Sequence, residues 1–250
     1  GRSSVALADL LRREPPIDQD FVLITERDLR QPSEDEDLEE IFIRLLRGQG
    51  HPWRAFAHGL HWRRELPHGR AIESALSEVR AGSDDVVMLD VPAQPGAGIT
   101  TTLRLAAFEA ALTGVPALIH RGETALDYDR LRAFLHDLHQ RPELSPRDQR
   151  EPVLLIFDAT STLLDTQEVL VDLPARLARD GVRAVVVRVL PLLQEVTPDR
   201  RRARCGAARC RTESVPELPA DLSAEQQDDL ARWVERLADR ISFDASTEAV

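Results

Sequence analysis

The sequence predicts an α/β fold built around a parallel sheet, and three observations carry that prediction. Four continuous apolar runs, at residues 86–91, 117–120, 153–158 and 184–189, recur along the second half of the chain. Stretches with apolar residues at helical spacing, 101–112, 126–139 and 166–179, lie between them. Strand and helix alternating at this rhythm is what parallel strands with crossover helices produce. The runs are apolar at successive positions rather than at every second residue, as a strand covered on both faces requires. Finally, 250 residues with 42% hydrophobic content can bury the core of one large α/β domain.

The elements follow in chain order. Residues 1–50 read as a lead-in, partly helical, and residues 51–250 as the main domain. Within the lead-in, DFVLIT at 20–25 is a short strand candidate, apolar and rich in β-branched residues. SEDEDLEE at 33–40 opens a helix: Ser33 serves as its cap and the carboxylates of its first turn suit the positive end of the dipole. That helix runs through IFIRLLR and stops at Gly48. GRAIESALSEVR at 69–80 places Ile72, Ala75, Leu76 and Val79 on one helical face and ends at Gly82. A fifth, shorter strand passes near 212–218. Residues 222–237 form a last helix with Ser223 as N-cap and Gln226 closing a capping box.

Composition excludes several classes. The net charge is −11, which argues against a general affinity for nucleic-acid backbone. All 32 basic residues are Arg, so no lysine elsewhere in the chain can replace a missing phosphate-binding one. The two cysteines, Cys205 and Cys210, make no disulfide framework and read as isolated thiols, since a closed zinc site needs four ligands. No segment reaches the length of a membrane span and the first residues lack the apolar core of a signal peptide. The expected location is cytoplasmic, and the ends read as those of a piece of a longer protein.

Chemistry is concentrated at the first predicted strand and the turn after it. VVMLDVPAQPGAGITTTL runs from strand through a Gly/Pro turn directly into a helix. Such a turn lets backbone N–H groups close around a diphosphate, with the helix N-terminus adding partial positive charge. The phosphate-loop (Walker A) pattern GxxxxGK[ST] maps onto residues 93–100. Pro95, Gly96, Ala97, Gly98, Ile99, Thr100 and Thr101 then line the phosphates. The first Gly of the pattern is Ala93 and its Lys is Ile99. Downstream, 153–158 is an apolar run ending in an acid (Walker B), and Asp158 with the Thr100 hydroxyl forms a magnesium site. The residue after it is Ala159, where many ATPases carry a Glu, and Thr160, Ser161 and Thr162 are poor general bases. The expected cofactors are Mg2+ and ATP or ADP, with GTP as the alternative, and hydrolysis is weak or absent.

Arginines are the remaining cations. Arg188, near the end of the fourth predicted strand, suits a γ-phosphate sensor or a salt bridge at a strand end; Arg104 is a second candidate. Arg63 and Arg64, with Trp62, either border the base and ribose or pack a helix onto the sheet. The arginines at 200, 201, 202, 204, 209 and 211 form a basic loop, either solvated or open to an acidic partner or nucleic acid. His58/His61 and His136/His139, three apart, read as surface histidines.

PGAGITTTLRLAAFEAALTGVPALIHR, VLLIFDAT and ELPADLSAEQQDDLARWVERL together resemble the STAND class of P-loop NTPases, the signal transduction ATPases with numerous domains. The resemblance runs from about Trp53 to Leu237. Within the class, the turn PGAGITTTL is similar to a lysine-lacking branch seen in sterile-alpha-motif-domain antiviral proteins and their bacterial relatives. It implies an ASCE-type P-loop sheet of strand order 5-1-4-3-2. It also implies a regulatory module between effector and sensor domains of an intracellular defence or signalling protein, oligomerising on activation. By position Gly96, Gly98, Thr100 and Thr101 match the phosphate loop, Asp158 the magnesium-holding acid and Arg188 a sensor. Ile99 and Ala159 depart from the pattern. A scaffold acting through protein contacts alone, and a nucleic-acid module using residues 200–211, remain the alternatives.

Overall fold

The computed structural model describes residues 20–24, 36–47, 52–64, 67–94, 96–122, 125–140, 152–158, 164–191, 201–205, 208–216 and 221–241. They form one sheet of seven strands: β1 (Phe21–Ile24), β2 (Val86–Ala93), β3 (Ala117–His120), β4 (Val153–Phe157), β5 (Ala184–Pro191), β6 (Arg201–Cys205) and β7 (Ala208–Ser214). The order is β1-β3-β4-β5-β2-β7-β6. The five inner strands pair parallel, while β1 on β3 and β6 on β7 are antiparallel. With the predicted strands numbered along the chain, the parallel part β7-β2-β5-β4-β3 reads 5-1-4-3-2. The whole sheet differs from that order by an added antiparallel strand at each edge.

The helices are α1 (Leu38–Leu46), α2 (Trp53–Ala57), α3 (Pro67–Ala81), α4 (Ile99–Leu112), α5 (Tyr128–Gln140), α6 (Leu164–Arg179) and α7 (Ala224–Arg240). Alternate side chains of each inner strand enter opposite layers of the core. Val87, Leu89, Val91, Val185 and Val187 join Ile72, Val79, Leu103 and Ala107 from α3 and α4. Val86, Met88, Ala184 and Val186 join Leu131 and Leu135 from α5 and Leu170, Leu173 and Leu177 from α6. Burial on both faces is why these strands are apolar on both faces, with the paired Asp90 and Arg188 as the charged exception in β2 and β5. A smaller cluster, Phe42, Ala55, Leu60, Leu237 and Ile241, packs α7 against α1, α2 and the segment after them.

Three expectations need correction. The cap of α1 is Asp37, whose carboxylate accepts from the Glu40 N–H; the helix ends at Leu46, and Ser33 and Gly48 lie outside the described residues. The fifth parallel strand is Ala208–Ser214 rather than 212–218, because its pairing with β2 runs from Val86↔Cys210 to Asp90↔Ser214. The arginine-rich segment is a β-hairpin rather than a loop, with Arg202 opposite Arg211 and Arg204 opposite Arg209. The capping box of α7 forms as expected, with Ser223 Oγ accepting from the Gln226 N–H and Gln226 Oε1 from the Ser223 N–H. Among the described residues no helix is long and apolar enough to cross a membrane.

Candidate functional site

The turn between β2 and α4 places its backbone where a phosphate can be received. Gly96 and Gly98 both have φ of 82°, the left-handed region that glycine enters without penalty. A Cβ built on either would meet nothing within 4 Å, so these glycines serve backbone shape rather than close packing. Gly98 is also the N-cap of α4; no side chain caps that helix and its first turn carries no acidic residue. Its first N–H groups and dipole therefore face the space before the helix. Ala97 N donates to Gln94 O at 3.1 Å, closing the turn. Pro95 lies outside the described residues.

Thr100, in the first turn of α4, donates its hydroxyl to Asp158 Oδ2 at 2.5 Å. Asp158 follows β4 directly and is 7% exposed. β5 lies between β2 and β4 in the sheet, so the two residues converge from non-adjacent strands. Hydroxyl and carboxylate oxygens are donors that magnesium takes, but neighbouring ligands of an octahedral ion stand about 2.9 Å apart. The two groups here bond each other instead, and would separate slightly to hold an ion. Residues and group fit. When bound at Thr100 and Asp158, the ion would offset phosphate charge. Among the described residues no group of three or more His, Cys, Asp or Glu is placed to hold a metal.

Ile99 stands where the pattern has lysine, and its side chain is 6% exposed, in the same core layer as Ala93, Ala97 and Leu103. This position therefore contributes packing. Thr101 is exposed on the first turn. Ala159, Thr160, Ser161 and Thr162 lie outside the described residues.

Arg188 is held by Asp90 through two parallel bonds, Nε to Oδ1 and Nη2 to Oδ2, both at 2.9 Å. The residues are direct partners between β5 and β2. Val187 and Val189 belong to the layer of α3 and α4, so alternation turns Arg188 to the opposite face, that of α5 and α6. Asp158 alternates the other way, toward α4. A salt bridge is thus formed, within the two strands rather than at their ends and on the face away from Thr100. Asp90 was not singled out from sequence, although an acid inside an apolar strand is itself a signal.

Arg64 reaches the glycine turn from outside: Nη1 donates to Ala97 O at 3.2 Å. Its Nη2 donates to Asp221 O at 3.0 Å and Gln226 Oε1 at 3.2 Å, beside α7. Trp62 donates its indole N–H to Asp229 Oδ2 at 3.0 Å, so it too packs against α7, and Arg63 pairs with Glu109 on α4. In the hairpin, Arg211 is 2% exposed and pairs with Glu78, Asp84 and Glu213, while the Arg209 guanidinium donates to Gly82 O. The Cys210 side chain is buried. His58 contacts Glu36 at 2.9 Å, a carboxylate partner that its spacing from His61 does not reveal.

A mostly parallel sheet, a glycine turn leading into a helix N-terminus, and a threonine joined to an acid at the end of a buried strand are consistent with a P-loop NTPase domain. The family model Novel STAND NTPase 7 matches residues 77–236, from the end of α3 to the last turn of α7. The chain belongs to that family, and membership of an NTPase family implies a nucleotide ligand. No curated protein matches the sequence. Among solved structures, a chain of the E. coli MS115-1 HORMA:CdnC:Trip13 complex is similar at 15% identity and a TM-score of 0.32, over 90% of this chain and 75% of that one.

Proposed function

We propose that this domain is a nucleotide-dependent switch module of a larger intracellular defence or signalling protein, with slow or absent hydrolysis. The Thr100–Asp158 bond carries the binding half of the reading, because it joins the two residues that a magnesium–nucleotide complex needs. Burial of Ile99 supports the other half. Charge stabilisation is most of what phosphoryl-transfer sites contribute, and this position contributes none. A switch needs only different affinities in two states, and no turnover. The binding unit is taken as residues 51–250, with 1–50 a lead-in that lends β1 to the sheet edge. Pro95, Gly96, Ala97, Gly98, Ile99, Thr100 and Thr101 supply the loop; Thr100 and Asp158 hold Mg2+. ATP or ADP is the expected nucleotide, with homo-oligomerisation and neighbouring domains as the readout.

Thermal unfolding with ATP, ADP and GTP, each with magnesium, tests this. A ligand at a hundred times its dissociation constant adds about 2.7 kcal/mol, visible as a shift of a few degrees. The shift is expected to disappear in Thr100→Ala and Asp158→Ala. Turnover above about 1 per second, the range of working phosphoryl-transfer enzymes, would contradict the switch. No shift with any nucleotide would favour a scaffold acting by protein contacts. The nucleic-acid alternative is weaker than the hairpin's composition suggests, since Arg209 and Arg211 are engaged by Gly82, Glu78 and Asp84.

A further inference from the structure

We infer that Arg64 is a positioning residue that ties the outer wall of the phosphate turn to the N-terminal cap of α7, so that docking of α7 sets the shape of the turn. The inference rests on reading residues 96–101 as a phosphate-binding turn. One guanidinium spans both elements, donating to Ala97 O on the turn and to Asp221 O and Gln226 Oε1 at α7. Ala97 lies between the two positive-φ glycines, where peptide orientation is least constrained by the chain itself. The oxygen that Arg64 contacts on Gln226 is the same one that accepts the Ser223 N–H in the capping box. A displacement of α7 therefore pulls directly on the turn, and a change in the turn is felt at the helix cap.

The surroundings give this tie a rigid base. Trp62 bonds Asp229, the His68 ring donates Nε2–H to Pro216 O at 2.8 Å, and Arg240 donates to His58 O at 2.7 Å. His58, Trp62, Arg64 and His68 are thus each fastened to α7 or to residues that precede it in the chain. Leu60, Leu237 and Ile241 supply an apolar seat beneath the bonds. Of the bonds from these residues, the one from Arg64 to Ala97 continues into the phosphate turn. Linkage makes such coupling reciprocal: whatever fixes the turn also holds α7.

Hydrogen exchange of the full chain without nucleotide tests the tie. Gln226→Leu removes the acceptor shared by Arg64 and the cap. Ser223→Ala frays the same helix end but leaves the Arg64 contact, and Gln226→Glu keeps an acceptor for Arg64. Amides of residues 96–102 are expected to exchange about fivefold faster in Gln226→Leu, the factor that loss of one net hydrogen bond produces. They are expected to be unchanged in Ser223→Ala and no faster in Gln226→Glu. Unchanged exchange in Gln226→Leu, or equal acceleration in Ser223→Ala, overturns the inference. Titration with magnesium–ADP adds the readout that a merely structural contact would not move: weaker binding in Gln226→Leu alone. If the exchange pattern appears but the wild-type chain takes no nucleotide, the phosphate reading fails and the mechanical tie stands.

Discussion

At the scale of single residues, Ile99 decides more than its absence of charge suggests. Restoring the family pattern with Ile99→Lys would place an ammonium group in the layer formed by Ala93, Ala97 and Leu103. Burying a charge without a partner is among the few changes that cost a domain severely. The expected result is a stability loss of more than about 2 kcal/mol in urea unfolding, with no gain in phosphate release. Release at a working rate with stability intact would show that the side chain turns outward and that the loop lacks only its lysine. Gly98 gives a second test. Its φ of 82° is strained for any side chain although space is open around it, so Gly98→Ala should cost about 1–2 kcal/mol from the backbone alone. Chemical unfolding measures the loss, and Gly98→Asn should recover part of it because asparagine tolerates this region.

Elements were legible where one periodicity dominated and obscure where two signals competed. The four apolar strands and their crossover helices stand out because both faces of each strand are buried. The hairpin did not, because RRARC and ARCRTES are read first as charge, although the second alternates Arg and small residues at the strand period. The turn between β2 and α4 could be placed from its glycines, and the Thr100–Asp158 pair from the two motifs. The facing of Arg188 could not, because a strand residue's face is fixed by register, and a shift of one residue reverses it. Nor could Arg64 have been matched to Gln226, which lies far along the chain and meets it only through tertiary packing. The cap of α7 was legible because it is local. Its worth is testable: Ser223→Ala should destabilise by about 1 kcal/mol and speed exchange in the first turn of α7 while leaving α4 unaffected.

For the molecule as a whole, buried histidines set a pH limit that no single motif predicts. His68 and His120 are 1% and 2% exposed, and burial lowers both below the ordinary imidazole value of 6.5. His61 is lowered by burial and by the charge of Arg63. Asp20, paired with Arg130, opposes the shift at His120, and the Pro216 carbonyl opposes it at His68, but burial dominates in each. His120 Nδ1 accepts the Gly122 N–H at 3.1 Å, and its ring sits between Phe21 and Phe157, surroundings that suit the neutral form. From about one pH unit above 6.5, folded and unfolded chains are both essentially neutral at these sites, and stability does not depend on their protons. Below it the unfolded chain takes up protons that the folded chain refuses, so stability falls with pH until the lowered folded values are passed. Each such proton contributes a limiting slope of about 1.4 kcal/mol per pH unit. Urea unfolding between pH 7.5 and 5.5, above the range where ordinary carboxylates titrate, should show stability falling with acid. His120→Phe should reduce that slope by up to one proton's share, whatever it does to stability at pH 7.5. An unchanged slope in this variant and in His120→Gln would mean that the proton is accommodated in the folded state, and that the Phe21–Phe157 contact opens to admit it.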